Sequence, residues 1–176
     1  MENTIKNITY DALVIGGGIA GGEAALNLAV TGYKVLLVEK DLSVGGKMIM
    51  LSKVFPTLDC SACITTPKIS EISRHPNITI FTGSEVGNIR RVSDTGFVAK
   101  VTKNPRYVHV ADCTSCQLCE QACPVNVTDQ YQFGLVGRKA AFIPFSIASP
   151  KAAAIDIENC TLCGACVNVC PQSALS

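Results

Sequence analysis

Ten cysteines are the residues of this 176-residue chain whose types and spacing can do chemistry. Eight fall into two matching runs, Cys113-x2-Cys116-x2-Cys119-x3-Cys123-Pro124 and Cys160-x2-Cys163-x2-Cys166-x3-Cys170-Pro171. Three thiolates spaced in this way on a tight loop can reach three irons of one cubane, while the loop amides donate to its sulfurs. A fourth thiolate, at the start of a short helix that leads away, reaches the cluster of the other run. The spacing therefore predicts two [4Fe–4S] clusters. One would lie on Cys113, Cys116, Cys119 and Cys170, the other on Cys160, Cys163, Cys166 and Cys123. A zinc ribbon takes four ligands from two CxxC knuckles, and the two runs oversupply it. A disulfide scaffold would spread its cysteines along a small secreted chain, yet the first 59 residues here hold none.

The remaining pair stands apart in Asp59-Cys60-Ser61-Ala62-Cys63. Three readings stay open for Cys60 and Cys63. They could supply two ligands of a third cluster completed by cysteines from elsewhere. They could form a dithiol/disulfide redox pair, or be buried structural thiols. His75 and His109 read as structural.

A second constellation precedes these. Gly16-x-Gly18-x-x-Gly21 follows the apolar run 10–16 and opens a nearly continuous apolar stretch from Ile19 to Thr31, with Gly32 where a helix-ending glycine belongs. Residues 33–39 read as a second strand ending in Glu39. Strand, turn, helix and strand make a βαβ unit, the context that a dinucleotide-binding glycine loop needs. Gly16 allows the tight turn, Gly18 lets backbone approach a pyrophosphate, and Gly21 permits close helix–strand packing. Glu39 stands where a ribose-binding acid is expected. Gly45-Gly46, six residues on, favours FAD over NAD, with an ordinary turn as the alternative. Lys47 could face phosphate or simply be solvated.

These groups need elements to hold them. A helix is expected from Pro67, with proline at its first position, then three strands over 77–83, 85–92 and 96–102. The composition turns cysteine-rich after Asn104-Pro105, which divides the chain into a dinucleotide-binding region, 1–107, and a cluster region, 108–176. Net charge is +3 in the first and −2 in the second. The 36 residues between Cys123 and Cys160 exceed what a minimal ferredoxin needs. Within them GLVGRKAAFIPF and SPKAAAIDIEN could form an added hairpin. The predicted fold class is α/β: a Rossmann-like FAD-binding βαβ region followed by an α+β two-cluster bacterial-type ferredoxin module.

Composition narrows the function classes. Hydrophobic residues make up 48% and charged residues 16%, so the chain is no disordered tail. A net charge of +1 gives no basic field for nucleic acid. No apolar run is long enough to span a bilayer. Clustered cysteines without a secretory signal point to a reducing, cytoplasmic compartment.

The order of glycine loop, GGK, DCSAC and two ferredoxin runs resembles one family, the A subunits of heterodisulfide reductases and their relatives in anaerobes. VIGGGIAGGEAALNLA, VGGKMIMLSKVFPTLDCSACI, SRHPNI, NPRYV, GRKAAFIPF and IDIENC carry the resemblance, from about residue 10 to residue 172. It implies an iron–sulfur flavoprotein oxidoreductase component, with a thioredoxin-reductase-like flavoprotein domain interrupted by a ferredoxin module. Electrons would pass between FAD and two [4Fe–4S] clusters to partner redox subunits: heterodisulfide-reductase-like B and C subunits, hydrogenase or dehydrogenase components. Some members are flavin-bifurcating. Members of the family continue past the second run, so the chain is expected to be the N-terminal portion of such a protein, with its FAD site completed by a further stretch or a second chain. Two alternatives remain. One is a stand-alone ferredoxin-type carrier with a non-catalytic Rossmann-like docking region. The other is a glutamate-synthase small-subunit-type input module, in which the cluster region would precede the glycine loop.

Overall fold

The computed structural model describes residues 6–175. Strand β1 (Ala12–Ile15) leads into helix α1 (Ile19–Val30), and β2 (Val35–Val38) returns parallel to β1, pairing Ala12 with Val35 and Ile15 with Val38. All four residues of β2 are buried, which suits an unbroken Val-Leu-Leu-Val run at the centre of a parallel sheet. α1 stops where Gly32 takes φ +97°. The amide of Gly32 donates to the Ala29 carbonyl and that of Tyr33 to the Leu28 carbonyl, the paired bonds of a Schellman stop.

A 3-10 turn (Gly46–Met50) and a small antiparallel pair, β3 (Lys53–Val54) with β4 (Asp59–Cys60), precede α2 (Ser61–Arg74). This corrects the expectation of a helix starting at Pro67. Proline lies inside α2, and Thr65 and Thr66 turn their hydroxyls back onto the Ser61 and Ala62 carbonyls beside the break in the ladder. α2 feeds β5 (Ile78–Phe81), giving a three-stranded parallel sheet in the order β1-β2-β5. The hairpin β6 (Ser84–Arg91) and β7 (Phe97–Lys103) follows as expected, with an irregularity between Val86 and Ile89. Ala25, Ala29, Val35, Leu37, Val44, Ile49, Ile69, Ile72 and Ile78 form the core under this sheet.

The cluster region contains two very short helices, α3 (Leu118–Ala122) and α4 (Ala165–Asn168). Between them come the hairpin β8 (Asn126–Thr128) with β9 (Gly137–Lys139), and the pair β10 (Ala141–Phe142) with β11 (Ala154–Ile155). The expected addition between the runs is thus present, although its first arm starts ahead of the segment the sequence suggested. Val108 bridges Leu175, and the His109 amide donates to the Ala174 carbonyl, so the two ends of this region are tied together. A second core holds Val108, Cys119, Cys123, Ala140, Ala141, Ala153, Ala174 and Leu175. The segment between the runs touches both cores: Tyr131, Phe145 and Ile147 pack on the first, and the Tyr131 hydroxyl donates to the Ile49 carbonyl.

Candidate functional site

The glycine loop is built by steric necessity. A Cβ on Gly21 would lie 1.9 Å from the Gly16 carbonyl oxygen, so helix and turn meet at a distance only glycine permits. Gly16 sits at φ +100°, the left-handed region that a turn from β1 into α1 requires. Around Gly18 the space is open, and a Cβ there would touch nothing within 4 Å. Gly45 donates its amide to the Gly17 carbonyl, and a Cβ on Gly46 would come within 2.9 Å of the Gly18 Cα. The Gly45-Gly46 pair is therefore pressed against the glycine loop. Glu39, only 5% exposed at the end of β2, accepts from the Gly17 amide at 2.5 Å and from the Asp41 amide at 2.9 Å. Beside it Asp41 has a carboxyl pushed above its usual range, first by burial and then by the Glu39 charge.

A cleft of about 550 Å³ opens at the carboxyl ends of β1 and β2, between Ile15, Gly16, Glu39, Gly46 and the Ser84–Val86 stretch. In a parallel α/β sheet this is where a dinucleotide lies, and the volume is that of a small-molecule site. Lys47 stands exposed at its rim. The floor supplied by Ser84, Glu85 and Val86 escaped the sequence reading, because nothing in a strand start marks it as cofactor-facing.

The two cysteine runs have matching backbones. Two residues after each first cysteine, Ser115 and Leu162 take φ 58° and 55°. Two further on, Gln117 and Gly164 take φ 65° and 74° and cap α3 and α4. Three non-glycine residues held in the left-handed region are a repeated constraint at a functional loop. One expectation is corrected. Each short helix carries the third cysteine and ends before the fourth, so Cys123 caps the end of α3, and Cys170 follows the cap of α4 rather than starting a helix. A helix that begins directly after the left-handed loop residue leaves no room for the fourth cysteine at its start.

One cavity is lined by Cys113, Cys116 and Cys119 of the first run and by Cys170 of the second. On the other side Cys166 has its thiol pushed up first by burial, and then by charge on Cys160 and Cys123, its neighbours. Burial raises the Cys119 thiol to about 11. Among the described residues no three Cys, His, Asp or Glu side chains close on one point as ligands of a single ion would. The residues present fit the iron–sulfur groups in another respect: amide N–H groups are aimed at sulfur. Ala153 donates to Cys113 Sγ at 3.5 Å, Leu162 to Cys160 Sγ at 3.4 Å, and Ala174 to Cys170 Sγ at 3.4 Å.

Cys60 and Cys63 lie apart from this. Both are exposed, so the buried-thiol reading is corrected. They flank the buried Ser61 at the start of α2, where Cys60 caps the helix and accepts from the Cys63 amide at 3.3 Å. The Cys60 thiol is held below its usual value, first by a hydrogen bond from the Cys63 side chain. Cys63 is correspondingly raised.

The comparisons with known proteins agree with this geometry. A 4Fe-4S dicluster domain matches residues 112–175, and an FAD dependent oxidoreductase domain matches residues 11–65. The fold of L-proline dehydrogenase from P. horikoshii superposes on 58% of this chain, and on 20% of that one, with a TM-score of 0.51 at 24% identity. The two domain matches place an iron–sulfur region and an FAD-dependent oxidoreductase region in one chain. The chain is 42% identical to the iron-sulfur A subunit of the CoB--CoM heterodisulfide reductase of Methanocaldococcus jannaschii over 171 residues, 97% of this chain and 26% of the relative. It is 47% identical to a protein of Archaeoglobus profundus that is like the heterodisulfide reductase A subunit, over 166 residues, 93% of this chain and 24% of the relative. Over nearly its whole length the chain is similar to the A subunits of heterodisulfide reductases, and it spans about a quarter of the length of these relatives. Among the described residues no helix is long and apolar enough to cross a membrane.

Proposed function

We propose that the chain is an electron-transfer component of a heterodisulfide-reductase-like oxidoreductase complex, acting between FAD and two [4Fe–4S] clusters and serving partner redox subunits in the cytoplasm. The observation that carries this reading is the cavity shared by Cys113, Cys116, Cys119 and Cys170. Cysteines of two runs meeting at one cavity are what an interleaved pair of cubane sites needs. Cys160, Cys163, Cys166 and Cys123 would hold the second cluster in the same crossed manner, in a two-cluster bacterial-type ferredoxin module over 108–176. Residues 1–107 would supply the adenosine and pyrophosphate half of the flavin site. Gly16, Gly18, Gly21, Gly45 and Gly46 would admit the phosphates against backbone, with Lys47 at the rim and Glu39 toward the ribose. When bound, FAD exchanges electrons in pairs or singly and the clusters singly. The protein's own work is then positioning: amides on sulfur, glycines at phosphate, buried thiols that release protons as iron binds. B- and C-type subunits, hydrogenase or dehydrogenase components, and a chain carrying the rest of the flavoprotein fold are the partners that fit.

For Cys60 and Cys63 the hydrogen-bonded, unequal pair favours a dithiol/disulfide couple. Two ligands of a third cluster, completed by a partner, is the competing role.

The test is metal content. Protein purified without oxygen should carry about 8 iron and 8 sulfide per chain. Stoichiometric zinc without sulfide would overturn the reading.

A further inference from the structure

Arg106 lies where the two halves of the site meet. Its guanidinium is part-buried and makes three hydrogen bonds, all to backbone carbonyls: Nε to Ala153 at 2.9 Å, Nη2 to Ala152 at 2.9 Å, and Nη1 to Leu42 at 3.0 Å. Among the described residues no carboxylate forms an ion pair with it. The Ala152 carbonyl and the Ala153 amide belong to one peptide unit, and that amide donates to Cys113 Sγ at 3.5 Å. A fixed positive charge thus pulls on the oxygen of the peptide whose N–H is aimed at a cluster sulfur. Polarising a peptide at its oxygen strengthens its N–H as a donor. Donors to sulfur and nearby positive charge both favour the reduced, more negative cluster. The negative charge of Cys113 is in turn felt at Arg106.

We propose that Arg106 is a positioning residue that raises the reduction potential of the cluster held by Cys113, acting through the Ala152–Ala153 peptide, and leaves the other cluster untouched. This rests on the cluster assignment above, which the iron and sulfide count tests separately. The third bond gives the same side chain a grip on Leu42, one residue past Asp41 in the cofactor cleft, so the cleft wall and the cluster loop are fixed by one rigid fork.

The experiment is voltammetry of the full chain, loaded with iron and sulfide, comparing wild type with Arg106→Gln and Arg106→Lys. Cys116→Ser marks which of the two one-electron waves belongs to the first cluster. Arg106→Gln should still carry about 8 iron, and that wave alone should move to lower potential. The expected change is about tenfold in the reduction equilibrium, which is about 59 mV for one electron. Arg106→Lys keeps the charge and loses the fork, so it should fall between the two. An unmoved wave in Arg106→Gln, or both waves moving together, would overturn the proposal. If the Gln chain fails to load, the Lys chain carries the test: a first-cluster wave lowered by less than about 59 mV supports the role, and an unmoved wave overturns it. Failure of both chains to load would make Arg106 a folding determinant and end the proposal.

Discussion

Replacing Gly21 by alanine probes the glycine loop most sharply, because the structure sets opposing terms of known size. An added Cβ would stand 1.9 Å from the Gly16 oxygen, against an ordinary closest C···O approach of about 3.3 Å. The obstacle is backbone, so turn and helix must separate by more than an ångström. Overpacking of this kind costs about 1–3 kcal/mol, while alanine in a helix gains roughly 1 kcal/mol over glycine. A backbone clash this deep takes the upper end of that cost, so a net loss of about 2 kcal/mol follows, or a melting point lower by roughly 4–8 °C in a chain of this size. Gly18→Ala is the matched control. Its Cβ meets nothing, and its φ of −72° with ψ of −176° suits any residue. The cap cost and the reduced freedom of the unfolded chain nearly cancel there, so stability should change by less than about 0.5 kcal/mol. Yet, if Gly18 admits a pyrophosphate as proposed above, that Cβ would take up part of its space, and FAD affinity should fall about tenfold or more. Thermal melts by circular dichroism and calorimetric FAD titrations of both variants give the readouts. Gly21→Ala as stable as Gly18→Ala would refute the packing described, and unchanged FAD binding by Gly18→Ala would refute the assignment of the loop.

Three further outcomes are expected. Cys123→Ala should damage the cluster on Cys160, Cys163 and Cys166 before the one on Cys113, read by electron paramagnetic resonance; damage confined to the Cys113 run would contradict the crossed ligation. In reduced protein at pH 8, iodoacetamide should label Cys60 ahead of Cys63, because the depressed thiol is the one that ionises as pH rises; mass spectrometry showing equal or reversed labelling would remove the support for an unequal dithiol. The chain alone should bind FAD only at about micromolar affinity or weaker, since the cleft supplies the adenosine half and little wall for the ring; calorimetry giving nanomolar affinity would show a complete flavin site.

Much of this was legible in the residues. The βαβ unit could be read because an apolar run, a glycine turn and a buried Val-Leu-Leu-Val strand all point to one local structure. The cysteine spacing anticipated that Cys170 would stand beside the first run, where it lines the same cavity. The start of α2 was hidden because its cap is a cysteine thiol and its first residue, Ser61, is buried with its hydroxyl on the Met48 carbonyl. Pro67 then gave a stronger signal than the true start. The repeated left-handed residues were masked because only one of the four is glycine. Arg106 could not be found at all, since its partners are carbonyls more than 40 residues away, and backbone carbonyls leave no mark in side-chain patterns.

Tyr131, Phe145 and Ile147 pad the first core from within the segment between the cysteine runs, and this bears on how the protein is made. The ribosome releases the Rossmann-like half first, and domains synthesised first usually fold first. Here that half must wait for side chains translated dozens of residues later before its hydrophobic surface is covered. Those side chains sit in the segment that joins the two cysteine runs, Tyr131 within the β8–β9 hairpin and Phe145 and Ile147 after it. On the cluster assignment proposed above, delivery of iron and sulfide to the nascent chain would govern when the nucleotide-binding half closes. Starving cells of either should then leave the chain exposed to proteases at its N-terminal half, although none of the eight cysteines of the two runs lies there.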